Sequence, residues 1–359
     1  MRLRLLVLTL IVAAGLPGCG GSGSPTGPSI PAPTYPVTAV VFYDENGNGV
    51  LDATEAVRLS DIDVAVSGKV GRSEKLTGRA VVNGVPAGSF PVTLQTASVP
   101  PFWTPSTTPP VAVPQPAGSE ADIPVTLPIG DNVPNTYLAF GDSITVGEGS
   151  HSTNGYISVV EELLAQYMGG RHRVIGDGIS GTTSGCASNR DCSGKEGAER
   201  IEADLRHARP AYLLILYGTN DWNKAPCKSA DPPCFTIDSL RFMIQVAKGQ
   251  RTLPVVSTII PANPDQTPPE RNQWVAAMNE KIKAMARQEG AALADSYAAF
   301  MKAGNLPALF DGQVHPNDAG YQLIAGAFFI AMERPPAATG SRWGLPSLFL
   351  APAVTSVRR

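Results

Sequence analysis

Residues 136–147, TYLAFGDSITVG, place a serine directly after a short apolar run that has no polar alternation. Such a run is typical of a strand that is buried on both faces of a parallel sheet. Similar runs follow along the chain, namely HRVIG, AYLLILYG, LPVVSTIIP and AALAD. Segments with apolar residues at helical spacing stand between or after them, namely GYISVVEELLAQYMG, GAERIEADLRHA, SLRFMIQVAKGQ, ERNQWVAAMNEKIKAMARQ and DAGYQLIAGAFFIAMER. This alternation predicts an α/β fold with a doubly wound parallel sheet.

Three short motifs follow predicted strands of this sheet. They are GDS with Ser143, GISGTTS with Gly181, and GTND with Asn220. Binding sites on doubly wound sheets lie at the carboxyl ends of the strands, so we expect these motifs to lie close together. The backbone N–H groups of Ser143 and Gly181 and the side-chain amide of Asn220 would then form an oxyanion hole.

A serine hydroxyl needs a base to become a nucleophile, and histidine is the usual one. Of the 4 histidines in the chain, His315 is the best candidate, because it stands in the loop DGQVHPNDAGY just before the last predicted helix. Asp311 lies shortly upstream and could hold the imidazole ring in the correct tautomer. The residues therefore predict nucleophilic catalysis by Ser143 and His315.

The four blocks GDS, GISG, GTND and HPND resemble, in this order, the SGNH or GDSL hydrolase family over about residues 135–333. The resemblance implies a flavodoxin-like three-layer sandwich and a serine esterase that needs no catalytic cofactor. It also implies that Asp142 supports the nucleophile loop. The residues carried over are Ser143 as nucleophile, His315 as base, and Ser143, Gly181 and Asn220 as oxyanion donors.

One position departs from the family pattern. The family's acid usually stands three residues before the histidine, where this chain has Gly312, and Asp311 lies one residue further upstream. Two alternatives follow: a bulge in the loop lets Asp311 reach the ring, or the enzyme works as a dyad in which a backbone carbonyl orients His315.

The segment before the hydrolase blocks, residues 37–129, has alternating apolar runs divided by Gly, Asn and Pro, which predicts a small all-β sandwich. Its stretch DENGNGVLDATE, residues 44–55, has the spacing of a twelve-residue calcium loop. The alternative is an Asn- and Gly-rich hairpin turn. The segment resembles SdrD B-like or Cna B-like repeats, which implies structural Ca²⁺ and a spacer or accessory domain. The predicted ligands are Asp44, Asn46, Asn48, Val50 (through its carbonyl), Asp52 and Glu55.

The chain begins with two arginines, an apolar run and LPGC, which resembles a lipoprotein signal over residues 1–18 with acylation at Cys19. Residues 19–36 are rich in Gly, Ser and Pro and predict a flexible tether. We expect an exported protein that is lipid-anchored to the bacterial cell envelope. The other four cysteines then predict two disulfides. Three pairings are possible, and the local ones, Cys186–Cys192 and Cys227–Cys234, are favoured.

The formal net charge of -3, without a basic stripe, argues against nucleic acid as a partner. The expected substrate is an ester of a carbohydrate, a lipid or a small alcohol. Two alternatives stay open: a lysophospholipase or thioesterase, and a surface adhesion or binding protein whose hydrolase domain is inactive. The tail, residues 334–359, carries no prediction.

Overall fold

The computed structural model describes residues 31–151, 154–186, 192–228 and 234–333. The predicted signal peptide, Cys19 and the tail from residue 334 lie outside these ranges. Within the described ranges, no helix combines the length and the apolar composition needed to cross a membrane. The described residues from Thr34 to Glu333 belong to one compact unit.

The second half of the chain contains the predicted parallel sheet. Its strands are β10 (Val133–Gly141), β11 (Arg173–Gly178), β12 (Pro210–Leu216), β13 (Leu253–Ser257) and β14 (Ala292–Ala294). Their order in the sheet is β11-β10-β12-β13-β14, and every neighbouring pair is parallel. This is the flavodoxin-like order: β11 lies on one side of β10, whereas β12, β13 and β14 follow on the other side. The predicted α/β fold is therefore confirmed, and all five predicted strands are present.

Helices cover both faces of this sheet because its strands are apolar on both sides. They are α1 (Ser143–Val146), α2 (Ile157–Met168), α3 (Gly197–Ala208), α4 (Thr236–Gly249), α5 (Pro269–Glu289), α6 (Ser296–Ala303) and α7 (Asp318–Glu333). Alternate residues of β10 point to opposite faces: Tyr137 and Ala139 pack with α2 and α7, whereas Leu138 and Phe140 pack with α3, α4 and α5. The result is three layers with a separate core on each side of the sheet.

Short strands fill the first half of the described chain. They are β1 (Thr34–Tyr43), β2 (Asp63–Val66), β3 (Lys69–Arg72), β4 (Arg79–Pro86), β5 (Gly88–Phe90), β6 (Val92–Leu94), β7 (Thr104–Pro105), β8 (Val111–Val113) and β9 (Ala121–Thr126). They form three sheets, β4-β1-β9-β7, β3-β2-β6 and β5-β8, with antiparallel pairing everywhere except between β1 and β9. We call residues 34–126 the N-terminal β region.

The N-terminal β region packs directly on the α/β part. The N–H of Arg58 donates to the carbonyl of Met168 at 2.8 Å, and the N–H of Leu76 donates to the carbonyl of Tyr167 at 3.2 Å. Both acceptors lie at the carboxyl end of α2. Helix α2 runs antiparallel to the strands of the parallel sheet, so the N-terminal β region lies at the amino ends of those strands. The N-terminal β region is thus at the end of the sheet opposite to the end where Ser143 lies.

Candidate active site

The nucleophile candidate stands where β10 ends and α1 begins. Ser143 is buried and is the first residue of α1, while Asp142 accepts a hydrogen bond from the N–H of Ile144 at 3.0 Å. The turn requires glycine at 141, because a Cβ there would lie 2.1 Å from Oγ1 of Thr145. The local chain therefore fixes the serine at the carboxyl edge of the sheet.

The structure brings Ser143 and His315 together. Oγ of Ser143 lies 2.9 Å from Nε2 of His315, although 172 residues separate them in sequence. His315 stands in a narrow turn between Phe310 and α7, where the N–H of Asp311 donates to the carbonyl of His315 at 2.9 Å. A serine hydroxyl within hydrogen-bond reach of an imidazole is the arrangement needed for general-base activation.

Asp311 lies in the same turn, but its carboxylate does not reach the ring. Oδ2 of Asp311 lies 3.6 Å from Nε2 of His151, and 55% of the Asp311 side chain is exposed. Within the described ranges no hydrogen bond joins the Asp311 carboxylate to His315. Asp311 stands one residue further from His315 than the family's acid, and Gly312 between them adopts φ +89°.

The two other predicted oxyanion residues lie after β11 and β12, at the same edge of the sheet. Gly181 adopts φ +76°, and a Cβ built there would meet nothing within 4 Å, so the space beside its Cα is open. Nδ2 of Asn220 donates to the carbonyl of Thr182 at 2.9 Å and lies 3.5 Å from Oδ2 of Asp142. The amide of Asn220 is thus tied to the loop that carries Gly181.

Asp221, the neighbour of Asn220, was not among the predicted site residues. It is fully buried, and its carboxylate accepts hydrogen bonds from the N–H and hydroxyl of Ser184 and from the hydroxyl of Thr236. Burial raises the pKa of Asp221, and the two hydroxyl donors lower it. These hydrogen bonds hold the GTND turn in place. Asp221 is the aspartate of that motif, so the motif itself could have identified it as a site residue.

Arg200 on α3 is a second supporting residue that the sequence did not reveal. Its guanidinium pairs with Asp177 and also donates to the carbonyl of Gly141 at 3.2 Å and to the hydroxyl of Tyr217 at 2.9 Å. These partners stand at or just after the ends of β10, β11 and β12. One cation therefore holds together the three segments that carry the site.

Asp142 has an unusual electrostatic environment. Burial raises the pKa of its carboxyl to about 7, the N–H of Ile144 lowers it, and the nearby Asp221 raises it. Arg271 is also buried, and burial lowers the pKa of its guanidinium while the charge of Asp142 raises it. The guanidinium of Arg271 donates to the carbonyl of Thr219 at 2.7 Å, beside Asn220.

Glu148 also lies at the site, although no sequence motif marked it. Its Oε2 is 3.2 Å from Nε2 of His315, and its Oε1 accepts a hydrogen bond from the hydroxyl of Ser180. Its backbone carbonyl accepts a hydrogen bond from the hydroxyl of Tyr321 at 2.7 Å. A carboxylate therefore stands next to the nitrogen that contacts Ser143.

Two disulfides flank the loops after β11 and β12. Cys186 is bonded to Cys192 with 5.5 Å between their Cα atoms, and Cys227 is bonded to Cys234 with 4.6 Å. This is the favoured local pairing. A cavity of about 440 Å³ lies between the two loops and is lined by Thr183, Gly185, Cys186, Lys224, Ala225, Pro226 and Phe235.

The predicted calcium loop follows β1. The buried carboxylate of Asp44 accepts hydrogen bonds from the N–H groups of Gly47, Asn48 and Gly49 at 2.8–3.1 Å. Buried Glu55 closes the loop by accepting from the N–H groups of Glu45 and Asp52 at 2.9 and 3.1 Å.

The remaining predicted ligands lie between these two ends of the loop. Oδ2 of Asp52 accepts from the amides of Asn46 and Asn48 at 2.7 and 2.9 Å, and Val50 is exposed. All the predicted ligand atoms are oxygens, which suits a hard cation such as Ca²⁺. The chemistry of this donor set suits the ion, whereas the carboxylates of Asp44, Asp52 and Glu55 do not converge on one point among the described residues.

Comparison with known proteins places this site in a family. The sequence model of the GDSL-like lipase/acylhydrolase family matches residues 139–323, slightly more than half of the chain. The matched range includes Ser143, Gly181, Asn220 and His315. The chain belongs to this family of hydrolases, and it is an enzyme that acts on ester bonds.

Solved structures show similarity over slightly more than half of the chain. TesA is 24% identical, with a TM-score of 0.42 over 55% of this chain and 97% of that chain. The acetylxylan esterase Axe2 from Geobacillus stearothermophilus is 24% identical, with a TM-score of 0.43 over 56% and 94%. LAE5, an alpha/beta hydrolase from the metagenome of Lake Arreo, is 23% identical, with a TM-score of 0.43 over 56% and 95%. No curated protein matches the sequence.

Proposed function

We propose that the protein is a serine esterase that hydrolyses acyl or acetyl esters through an acyl-enzyme intermediate. The observation that carries the proposal is the 2.9 Å contact between Oγ of Ser143 and Nε2 of His315. Both residues stand on segments that are held by buried polar partners, so the contact belongs to a preorganised site.

The reaction follows from this contact. Nε2 of His315 takes the hydroxyl proton as Oγ of Ser143 attacks the ester carbonyl, and the carbonyl oxygen becomes an oxyanion. The N–H groups of Ser143 and Gly181 and the amide of Asn220 stabilise that oxyanion. The intermediate collapses, the alcohol leaves with the proton from His315, and the acyl group stays on Ser143. Water, deprotonated by His315, then releases the acid by the same steps.

Substitution of the nucleophile tests the proposal. We expect Ser143→Ala to lower kcat on a small aryl acetate by about 10⁴-fold or more, since removal of a catalytic serine has effects of this order or larger. Ser119→Ala, which removes an exposed hydroxyl in the N-terminal β region, is the matched control and should retain full activity. Retention of a tenth of the activity in Ser143→Ala would contradict the assignment.

The acyl and alcohol halves of the substrate distinguish the remaining enzymatic alternatives. A panel of acetylated sugars, lysophospholipids, acyl thioesters and aryl esters of graded chain length separates a small-acyl esterase from a lysophospholipase or thioesterase. We propose the esterase. A protein that binds such compounds without turning any of them over would instead be a binding protein with an inactive hydrolase domain.

We further propose that the N-terminal β region is a calcium-stabilised sandwich and that the ion is structural. Its support is the closed loop from Asp44 to Glu55, whose two end carboxylates are buried. Glu45 of this loop also accepts a hydrogen bond from the side chain of Asn135 in β10 at 2.7 Å. Binding of Ca²⁺ would therefore stabilise a loop that touches the hydrolase sheet directly.

We propose an exported, lipid-anchored protein of the cell envelope. The LPGC motif before residue 20 supports the anchor, and the two disulfides fit an oxidising compartment. Radiolabelled palmitate incorporated into the full chain but not into Cys19→Ala would support this placement. Equal labelling of both proteins, or no labelling of either, would contradict it.

A further inference from the structure

The carboxylate of Glu148 stands where the mechanism needs the leaving alcohol. In the proposed reaction Nε2 of His315 gives its proton to the alcohol oxygen, which must come within about 3 Å of that nitrogen. Oε2 of Glu148 already lies 3.2 Å from the same nitrogen. Two atoms that each contact one nitrogen are at most about 6 Å apart, so the alcohol half of the substrate must pass beside this carboxylate.

The position of Glu148 is built into the site. Oε1 accepts the hydroxyl of Ser180, the residue before Gly181, and the backbone carbonyl accepts the hydroxyl of Tyr321. The next residue, Gly149, is pressed against the histidine loop, because a Cβ there would lie 2.6 Å from the carbonyl of Pro316. The carboxylate is therefore held by its neighbours on both sides.

The charge of Glu148 is reachable and is not balanced by a strong cation. Its side chain is 41% exposed, so a substrate can contact it. In the described part of the chain no lysine or arginine nitrogen lies within 4 Å of its carboxylate oxygens, and the one histidine nitrogen within that distance is Nε2 of His315. Asp311, also exposed, adds a second carboxylate close to the same turn.

We propose that Glu148 selects the alcohol half of the substrate, on the basis of the esterase function proposed above. Its carboxylate accepts hydrogen bonds from hydroxyls next to the ester oxygen, so the site favours esters of neutral polyhydroxy alcohols such as sugars. The same charge disfavours esters of anionic alcohols, including those with a phosphate or carboxylate near the ester. Glu148 is thus a specificity-determining residue.

Matched acetyl esters test this role. The set is phenyl acetate, 4-acetoxybenzoate as the anionic member, and a monoacetylated methyl xyloside with a free neighbouring hydroxyl. For each enzyme the kcat/KM of the two test esters is divided by that of phenyl acetate, and each ratio is compared between variant and wild type, which cancels intrinsic reactivity. The variants are Glu148→Gln, which keeps an acceptor without charge, and Glu148→Ala, which removes both. Glu74→Gln is the control, since it removes an exposed charge from the N-terminal β region.

We expect Glu148→Gln and Glu148→Ala to raise the 4-acetoxybenzoate ratio by about tenfold, the effect of one unscreened neighbouring charge. We expect Glu148→Ala to lower the xyloside ratio by about tenfold, the effect of one lost hydrogen bond to a charged group. Glu74→Gln should change neither ratio. An equal loss of kcat/KM on all three esters, which leaves both ratios unchanged, would show that Glu148 only holds the loops. Unchanged kcat/KM on all three esters would show that it does not face the alcohol, and either result overturns the proposal. Full activity of Ser143→Ala on these esters would instead refute the proposed function itself.

Discussion

Gly149 packs against Pro316 so closely that a Cβ atom on the glycine would lie 2.6 Å from the carbonyl oxygen of the proline. The same Cβ would lie 3.1 Å from Cβ of His315, and Gly149 adopts φ +88°. The segment just after the nucleophile and the turn that carries the base are therefore in direct backbone contact. We expect this contact to maintain the 2.9 Å distance between Oγ of Ser143 and Nε2 of His315.

Gly149→Ala should separate these two segments. We expect kcat on 4-nitrophenyl acetate to fall by about 100-fold, since displacement of a catalytic group by about 1 Å has effects of this size. Gly249→Ala, at the end of α4 where a Cβ meets nothing within 4 Å, is the matched control. It should keep full activity and be neutral or stabilising. Activity of Gly149→Ala within threefold of wild type would show that the contact is not needed.

Asp311→Asn distinguishes a triad from a dyad. Loss of the acid in a working triad lowers kcat by about 10⁴-fold. Because the Asp311 carboxylate faces His151 and makes no hydrogen bond to the ring of His315 among the described residues, we expect kcat/KM on an aryl acetate to change less than about fivefold. A loss of about 10³-fold or more would mean that Asp311 orients His315 during the reaction.

Asp142→Asn should change how stability depends on pH. In the folded protein the Asp142 carboxyl keeps its proton up to about pH 7, whereas an unfolded aspartic acid loses it near pH ~3.9. Between these values the folded state binds more protons, so stability falls as pH rises from about 4 to about 7. Asparagine keeps the acceptor for Ile144 and removes this contribution, which is at most about 4 kcal/mol.

Urea unfolding at pH 5 and at pH 8 measures the effect. We expect the loss of stability between the two pH values to be smaller in Asp142→Asn than in wild type. Asp221, whose carboxyl pKa burial also raises, keeps part of the slope in both proteins. An equal or steeper slope in the variant would contradict the assignment of the buried proton to Asp142.

Calcium should stabilise the intact protein through the loop of residues 44–55. An ion that binds only the folded state at 100 times its Kd contributes about 2.7 kcal/mol. We expect 1 mM Ca²⁺ to raise Tm by a few degrees relative to EDTA, and Asp44→Asn and Asp52→Asn each to reduce that shift. Glu74→Gln, the charge-matched control, should leave it unchanged. If Tm is the same in 10 mM Ca²⁺ and in EDTA, the loop is an ordinary turn.

The sequence predicted the sheet well because strands buried on both faces, such as residues 211–216, are unbroken apolar runs. It also singled out Ser143 and His315, since each stands in a short motif beside a predicted element, and the structure places their side chains 2.9 Å apart. Arg200 could not be found this way, because it acts through partners on three separate segments. Glu148 lies beside a motif without belonging to it, and only the folded loop brings its carboxylate to His315.

The orientation of the Asp311 side chain also could not be predicted from the sequence. Its spacing from His315 left open whether a bulge would turn the carboxylate towards the ring. In the folded turn the carboxylate lies 3.6 Å from Nε2 of His151 and makes no hydrogen bond to His315 among the described residues. The sequence also could not predict that the N-terminal β region packs on the carboxyl end of α2. That packing uses backbone hydrogen bonds, such as the one from Arg58 to Met168, which do not depend on the type of side chain.

The central claim, that Ser143 is a nucleophile activated by His315, is tested most directly by covalent labelling. The full chain is treated with a fluorophosphonate, and the modified residue is identified by mass spectrometry of its peptides, with Ser143→Ala and His315→Ala treated in parallel. We predict one adduct per chain, located on Ser143, absent from Ser143→Ala and formed at least about 100-fold more slowly in His315→Ala. No adduct on Ser143 in the wild-type chain, or equally fast labelling in His315→Ala, would contradict the claim.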